Sequence, residues 1–173
     1  MIATGPVRRS VALTALVVVL VAALAGCAGQ QGDAVDYSAT ELRSGEAVSL
    51  ESFRGRPAVL VSWATWCREC DEELTALQAF AESDEAEDLA VVAVNLDAAD
   101  VEAEIEAKIA KNGLDVTLWR DRRNDFKRSF GALGVPTTVL VDRDGKVAGT
   151  FPGGVDFEAE ELRTALDDVR AGS

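Results

Sequence analysis

Residues 58–70 read AVLVSWATWCREC, and this stretch decides the fold of the chain. Its first part, residues 58–63, is a short and almost wholly apolar run, which is typical of a strand buried in a sheet. Cys67 and Cys70 follow, and a helical apolar pattern after them predicts a helix over residues 67–83. A strand that leads into Cys-x-x-Cys at the start of a helix indicates a pair that cycles between dithiol and disulfide.

The spacing of the two cysteines explains why they should react together. Side chains three residues apart on a helix share one face, and a disulfide needs Cβ atoms only about 4 Å apart. Unpaired N–H groups and the positive dipole at a helix start favour an anion there, which lowers the pKa of a thiol. We therefore predict Cys67, partly exposed, as the nucleophile and Cys70, one turn deeper, as the resolving cysteine.

Two other interpretations of the cysteine pair are less favoured. A zinc site needs four ligands, but the chain has no histidine and its only other cysteine is Cys27. Two unreactive core cysteines are a second alternative. We expect no metal and no cofactor.

The amino-terminal segment has the pattern of an export signal. Arg8 and Arg9 precede an apolar stretch over residues 11–25, and small residues follow. The sequence Leu-Ala-Gly-Cys at residues 24–27 resembles the lipobox of bacterial lipoproteins, in which the cysteine, here Cys27, carries a diacylglycerol group and becomes the first residue. A retained signal anchor is the alternative. Both interpretations place the rest of the chain outside the cytoplasm.

This pattern divides the chain into three parts: residues 1–26 as a lipoprotein signal peptide, 27–43 as a lipidated polar tether, and 44–173 as one folded domain. It also assigns all three cysteines, one to a lipid anchor in the bacterial cell membrane and two to a redox pair. Disulfides persist outside the cytosol, so a membrane redox partner would have to recycle the pair.

The charge balance excludes nucleic acid as a partner. The signal peptide holds two of the 17 basic residues, which leaves 15 against 30 acidic residues, a net charge of −15. A chain this acidic would be repelled by phosphate backbones. The acidity most simply keeps an exported domain soluble.

The rest of the sequence alternates strand and helix patterns and ends with a hairpin and a helix. This order predicts an α/β fold in which a mixed sheet has helices on both faces. The predicted strands are residues 48–50, 58–63, 89–95, 116–119, 137–141 and 147–151, and the predicted helices are residues 67–83, 101–111, 125–130 and 156–170.

Several of these segments together resemble the thioredoxin superfamily, and more narrowly its membrane-tethered TlpA/ResA-type thiol–disulfide oxidoreductases. Residues 63–67 (WATWC) match the approach to the active site, residues 134–138 (GVPTT) match the cis-proline loop, and residues 140–147 match the hairpin after it. Residues 95–121 match an inserted helix and strand. The resemblance begins near Ser44 and implies a thioredoxin-like fold.

The resemblance also implies roles for residues around the cysteines. Trp66 would shield the pair on one side. Pro136, preceded by Val135, would form a cis bond and lie against Cys67, where its backbone could pair with an extended segment of a substrate. Partners would be proteins that carry disulfides or dithiols. Reduction of apocytochrome c is the first family role that we expect.

The same resemblance indicates one more site residue, and the sequence differs from the family pattern at three places. Glu73, three residues after Cys70, matches a family glutamate that could exchange a proton with the inner cysteine. The residues between the cysteines are 68–69 (Arg-Glu), where the family often has a proline. Val61 replaces the buried acid of plain thioredoxin, and Thr75 replaces a proline that usually follows the glutamate.

Three rival functions fit the sequence less well. A peroxiredoxin-type site would place a threonine at position 64, which is alanine here. A copper-handling protein would need two cysteines four apart and a distal histidine. A tethered adaptor without turnover would not need Cys67, Cys70 and Pro136. The direction of exchange is left open by the sequence.

Overall fold

A seven-stranded sheet organises residues 33–172, the part of the chain that the computed structural model describes. The strands are β1 (Ser38–Glu41), β2 (Ala47–Ser49), β3 (Ala58–Trp63), β4 (Ala90–Asn95), β5 (Thr117–Arg120), β6 (Thr137–Val141) and β7 (Val147–Pro152). The α-helices are α1 (Cys70–Ala81), α2 (Glu102–Asn112), α3 (Asp125–Phe130) and α4 (Glu160–Ala171), and 3-10 turns cover Leu50–Phe53 and Asp84–Ala86.

The sheet is mixed, with the spatial order β2-β1-β5-β4-β3-β6-β7. The three central strands β3, β4 and β5 are parallel, and the other neighbours pair in the antiparallel sense. The predicted thioredoxin-like α/β fold is therefore confirmed, and the predicted inserted helix and strand are α2 and β5. Because β6 runs antiparallel to β3, the start of β6 lies beside the end of β3, where the cysteine pair follows.

Strand β3 contributes to the core on both faces of the sheet. Val59, Val61 and Trp63 belong to one apolar cluster, whereas Ala58 and Leu60 belong to the other. Helices α1, α2 and α4 cover the first cluster, and helix α3 packs on the second. A strand covered on both faces is favoured to be apolar, which explains the nearly continuous apolar run in the sequence, and its one polar residue, Ser62, is hydrogen-bonded to Thr137.

The sheet begins earlier than the sequence predicts. Strand β1, within the segment 27–43 that was expected to be a polar tether, pairs with β2 and β5, and the preceding Tyr37 is only 1% exposed. The folded domain therefore begins before the predicted boundary at residue 44. The sequence did not indicate β1, because its mostly polar residues lack the apolar pattern of a strand. The predicted signal peptide and Cys27 lie outside the described residues. Within residues 33–172, no helix has the length and hydropathy needed to cross a membrane.

Candidate active site

The two cysteines after β3 form a disulfide. Cys67 and Cys70 have their Cα atoms 5.4 Å apart, and the backbone N–H of Cys70 donates a hydrogen bond to Cys67 Sγ at 3.1 Å. The predicted pairing is confirmed, but the predicted helix start at Cys67 is wrong. Cys70 is the first helical residue, and the backbone leading into it makes three-residue turn bonds, from the Cys67 N–H to the Ala64 carbonyl and from the Asp71 N–H to the Arg68 carbonyl.

The exposure of the pair also differs from the sequence prediction. Cys67 was expected to be partly exposed, yet it is 2% exposed, and Cys70 is fully buried. Both sulfur-bearing side chains belong to the apolar cluster that contains Trp63, so packing in this oxidised form covers the outer cysteine. The neighbouring Trp66 is 71% exposed, which leaves its indole at the surface of the site.

A buried carboxylate holds the turn that carries Cys67. Asp97, just beyond the end of β4, accepts hydrogen bonds from the backbone N–H of Thr65 at 2.8 Å and from its hydroxyl at 3.1 Å. The side-chain amide of Asn95 donates to the same carboxylate at 2.8 Å. Because three donors share one acceptor group, the backbone two residues before Cys67 is tied to the central strand.

A buried lysine reaches the same turn from helix α2. The Lys108 ammonium donates to the backbone carbonyl of Cys67 and, at 3.4 Å, to that of Thr65. It also lies 3.2 Å from Asp71 Oδ1, while Lys111 lies 2.9 Å from Asp71 Oδ2. Hydrogen bonding from Lys111, with smaller contributions from Asn112 and Lys108, lowers the pKa of Asp71 to about 2.

Glu73 is the one buried carboxylate on helix α1. It is 3% exposed, Oε1 accepts a hydrogen bond from the Thr138 hydroxyl at 3.0 Å, and Oε2 accepts one from the backbone N–H of Val155 at 2.8 Å. Burial raises the pKa of Glu73, although the bonds from Val155 and Thr138 oppose that effect. Its predicted exchange of a proton with Cys70 stays a prediction, whereas the prediction that Glu72 faces water is confirmed.

The loop before β6 is joined to the strand that leads to the cysteines. The Val135–Pro136 bond is cis, as predicted, and Pro136 is buried. Ser62 and Thr137, paired across β3 and β6, exchange two hydrogen bonds: the Thr137 N–H donates to Ser62 Oγ at 3.0 Å, and the Ser62 hydroxyl donates to the Thr137 carbonyl at 3.2 Å. The sheet thus brings the Pro136 loop and the cysteine turn to one edge.

Two exposed apolar side chains, those of Trp66 and Leu133, lie close in sequence to these two segments. Among residues 33–172, the large apolar side chains that are exposed are Trp66, Leu133 and Val147. Trp66 directly precedes Cys67, and Leu133, which is 89% exposed, lies three residues before Pro136. Trp66 and Leu133 are therefore apolar groups that another molecule could contact near the cysteine turn and the Pro136 loop.

Sequence reasoning missed four polar residues that shape the site: Asp97, Lys108, Thr138 and Ser62. Only Lys108 had a usable signal, because it follows Ile105 by three residues and precedes Ile109, which places it on the apolar face of α2. The others act across distances in sequence of 32 to 75 residues. Such contacts become visible only when the sheet is assembled.

Comparisons with known proteins agree with this geometry. Residues 31–150 match the model of the AhpC/TSA family. The thioredoxin-like protein YneN of Bacillus subtilis is 31% identical over 140 residues, which cover 80% of this chain and 79% of that protein. The thiol-disulfide oxidoreductase ResA of Bacillus thuringiensis subsp. konkukian is 24% identical over 137 residues, with coverages of 79% and 76%.

A solved structure supports the same assignment. The crystal structure of the thiol:disulfide interchange protein DsbE from Chlorobium tepidum superposes with a TM-score of 0.69 at 28% identity, covering 81% of this chain and 97% of that one. The fold and the aligned sequence both support this assignment, and the chain has a Cys-x-x-Cys disulfide. The chain belongs to the AhpC/TSA family and is a thioredoxin-like thiol-disulfide oxidoreductase.

Proposed function

We propose that this oxidoreductase works outside the cytoplasm, anchored to the cell membrane through a lipid on Cys27, and that it exchanges disulfides with exported proteins. The observation that carries the reaction is the disulfide between Cys67 and Cys70 at the start of α1. The observation that supports the location is the lipobox-like sequence at residues 24–27 after an apolar stretch.

In the reducing direction, the reaction begins with the dithiol form. The Cys67 thiolate attacks one sulfur of a substrate disulfide, and the other substrate sulfur leaves as a thiolate that takes up a proton. Cys70 then loses its proton and attacks Cys67 Sγ, which releases the second substrate sulfur. Two electrons pass to the substrate with two protons, one released by Cys70 and one taken from water, and the Cys67–Cys70 disulfide remains. The oxidising direction is the reverse of these steps.

Trp66, Val135 and Pro136 would form the substrate-binding site, and we add Leu133 to this group because its side chain is exposed. The exposed indole of Trp66 and the exposed side chain of Leu133 offer apolar contacts beside Cys67 and the Pro136 loop. An extended substrate segment would pair with the backbone of that loop, as strands do at an open sheet edge. This arrangement accepts many sequences, as a protein-directed exchange enzyme requires.

Glu73 would exchange a proton with Cys70 during the second step. The two residues are three apart on α1, so their side chains share a face. Burial raises the pKa of Glu73, which brings the carboxyl closer to the range where a group can both accept and release a proton. Val61 offers no alternative acid beneath the pair.

Glu73→Gln tests this role, and Glu72→Gln is the matched control because Glu72 is exposed on the same helix. We expect Glu73→Gln to change the pH dependence of thiolate absorbance and to slow exchange, whereas Glu72→Gln follows the parent. Equal titration curves for Glu73→Gln and the parent would remove Glu73 from the mechanism.

The substrates that we propose are disulfides of exported proteins, with apocytochrome c before haem attachment as the first candidate. A protein held outside the cytosol has no glutathione pool to restore its dithiol, so a membrane redox partner would recycle it. Reduction of apocytochrome c by the full chain, compared with reduction of an unrelated disulfide protein, tests the preference. Equal rates for both would indicate a general exchange enzyme.

The reaction itself is tested with cysteine variants of the full chain. Cys67→Ser should abolish disulfide reduction, because it removes the attacking sulfur. Cys70→Ser should accumulate a mixed disulfide between Cys67 and the substrate, because the resolving sulfur is absent. Mass measurement before and after reduction identifies that adduct. Reductase activity that survives in Cys67→Ser would disprove the assignment.

The anchor is tested by mass spectrometry of membrane fractions. An acylated amino-terminal peptide that begins at Cys27 is the expected product. An intact peptide that spans residues 25–28 as the main species would favour a retained signal anchor instead.

A further inference from the structure

Lys108 is a buried cation directly behind the reactive cysteine. Its residue is 8% exposed, and its ammonium group donates to the carbonyl oxygen of Cys67, the residue that carries the outer sulfur. Lysine is rarely buried without a partner, because removing a charge from water is costly. Here the partners are two carbonyl oxygens of the active-site turn and the Asp71 carboxylate.

The charges around Lys108 do not cancel. Asp71 is shared between Lys108 and Lys111, so these three side chains carry one positive charge in excess, beside the exposed Glu72 and the buried Glu73 in the first turn of α1. This charge adds to the positive end of the helix dipole. The Lys111 side chain is 65% exposed and well screened, whereas the Lys108 side chain is 8% exposed. Lys108 is therefore the cation whose field reaches Cys67 with the least screening.

The other charged groups near the pair face different partners. The Asp97 carboxylate accepts from Thr65 and Asn95, and the Glu73 carboxylate accepts from Thr138 and Val155 on the opposite side. Arg68 and Glu69, between the cysteines, are exposed and carry opposite charges. The residues of the Pro136 loop, 134–138, include no titratable side chain.

We propose that Lys108 is a positioning residue that sets the redox poise of the Cys67–Cys70 pair: its buried charge holds the Cys67 turn and stabilises the thiolate of the reduced form. This inference rests on the proposed role of Cys67 as the nucleophile. Reduction of the disulfide by two glutathione molecules yields one Cys67 thiolate, one released proton, one Cys70 thiol and oxidised glutathione. A buried cation bonded to the backbone of the residue that carries the thiolate stabilises the product side, which makes the pair more oxidising.

A purely structural role makes a different prediction from an electrostatic one. If Lys108 and Asp71 only clamp α2 to α1, then removal of either partner breaks the same clamp and shifts the redox equilibrium in the same direction. If the charge of Lys108 acts on the thiolate, removal of Lys108 favours the disulfide, whereas removal of Asp71 leaves the cation without its counter-charge and favours the dithiol.

The experiment measures the equilibrium of the full chain in glutathione buffers, together with the titration of thiolate absorbance. For Lys108→Met we expect the disulfide to be favoured about tenfold more than in the parent, which corresponds to about 30 mV for a two-electron couple. The thiolate should titrate at higher pH. Lys108→Arg, which keeps the charge, and Lys111→Met, which removes the exposed cation, should each stay within about twofold of the parent.

The direction in which Asp71→Asn shifts the dithiol–disulfide equilibrium distinguishes the two roles, and it is measured on the same full chain. We expect a shift toward the dithiol and a titration at lower pH, opposite to Lys108→Met. A shift in the same direction as Lys108→Met, or no shift in either variant, would overturn the proposal. If Lys108→Met does not fold, Lys108→Gln, which keeps hydrogen-bond donors without the charge, takes its place in the comparison with Asp71→Asn. Retained activity in Cys67→Ser would instead contradict the proposed function, independently of these shifts.

Discussion

The hydroxyl of Thr138 donates a hydrogen bond to the buried carboxylate of Glu73, with 3.0 Å between Thr138 Oγ1 and Glu73 Oε1. Glu73 lies three residues after Cys70 on α1, and Thr138 lies two residues after Pro136 on β6. The bond therefore joins the two segments of the active site beneath the surface. Both residues are buried, with exposures of 3% and 0%, so water cannot replace either partner readily.

Thr138→Val removes the donor and keeps the shape of the side chain. We expect a loss of about 1.5–3 kcal/mol in the free energy of unfolding near neutral pH, where the lost bond is to a charged group. At pH 4 the loss should be smaller, because the protonated carboxyl forms weaker hydrogen bonds. Denaturant unfolding at both pH values measures this. Thr164→Val, at an exposed position of α4, is the control and should change stability by less than about 0.5 kcal/mol.

A loss in Thr138→Val that equals the loss in Thr164→Val would show that the Glu73 bond contributes nothing to stability. A loss that grows as the pH falls would contradict the charged state assumed for Glu73.

Glu73→Gln should change how stability depends on pH. Burial raises the pKa of Glu73 in the folded chain above its value of 4.5 in an unfolded one. The folded state therefore binds the proton more tightly, and stability is lost as the pH rises from about 4.5 through the folded pKa. Gln cannot ionise, so the stability of Glu73→Gln relative to the parent should increase over that range. Unfolding in urea across pH 4 to 8 measures the difference.

The control for this experiment is Glu72→Gln. Glu72 is exposed on the same helix, so the curve of stability against pH for this variant should run parallel to that of the parent. A Glu73→Gln curve that is also parallel would mean that burial does not perturb Glu73.

Much of the fold could be predicted because apolar patterns report burial directly. Strand β3 is buried at all six positions, and its run of apolar residues is visible without any neighbour. Strand β1 was missed for the opposite reason. Its residues, Ser-Ala-Thr-Glu, carry no apolar alternation, and the strand exists because β2 and β5 supply backbone partners. The pattern of one segment cannot report hydrogen bonds that another segment provides.

The candidate site shows the same division. Cys67, Cys70 and Pro136 stand in motifs of adjacent residues, so the sequence identified them. The local pattern placed the helix start at Cys67, whereas three-residue turn bonds delay it to Cys70. The contacts of Asp97 with Thr65 and of Lys108 with Cys67 join residues 32 and 41 positions apart. They depend on how β4 and α2 pack, which no local motif describes.

Asp97→Ala should loosen the turn before Cys67. The substitution leaves the Thr65 N–H, the Thr65 hydroxyl and the Asn95 amide without their acceptor. Because the site is buried or half-buried, we expect a loss of about 1–3 kcal/mol in the free energy of unfolding. Asp100→Ala is the control, since the Asp100 side chain is 81% exposed and its surface ion pair with Arg122 should contribute little to stability. Equal losses in denaturant unfolding would show that Asp97 does not hold the turn.

Asp71 should stabilise the chain except in acid. The Lys111 hydrogen bond is the main reason that the pKa of Asp71 falls from 3.8 to about 2. A lowered pKa in the folded state means that the stabilisation is complete above pH 3.8 and is lost as the pH falls toward about 2. Asp71→Asn should therefore be less stable than the parent at pH 5 and approach it at pH 2.

Lys111→Met shows how much of the lowered pKa of Asp71 is due to Lys111 rather than to Lys108. With Lys111 removed, the pKa of Asp71 should rise toward its ordinary value, because only Lys108 and Asn112 remain as donors to the carboxylate. The acid-induced loss of stability should then begin at a higher pH than in the parent. Melting temperatures measured between pH 2 and 5 report the shift. If the parent and Lys111→Met lose stability over the same range, then Lys108 and Asn112 alone keep the Asp71 carboxylate ionised, and the contact with Lys111 is a surface ion pair without a measurable effect.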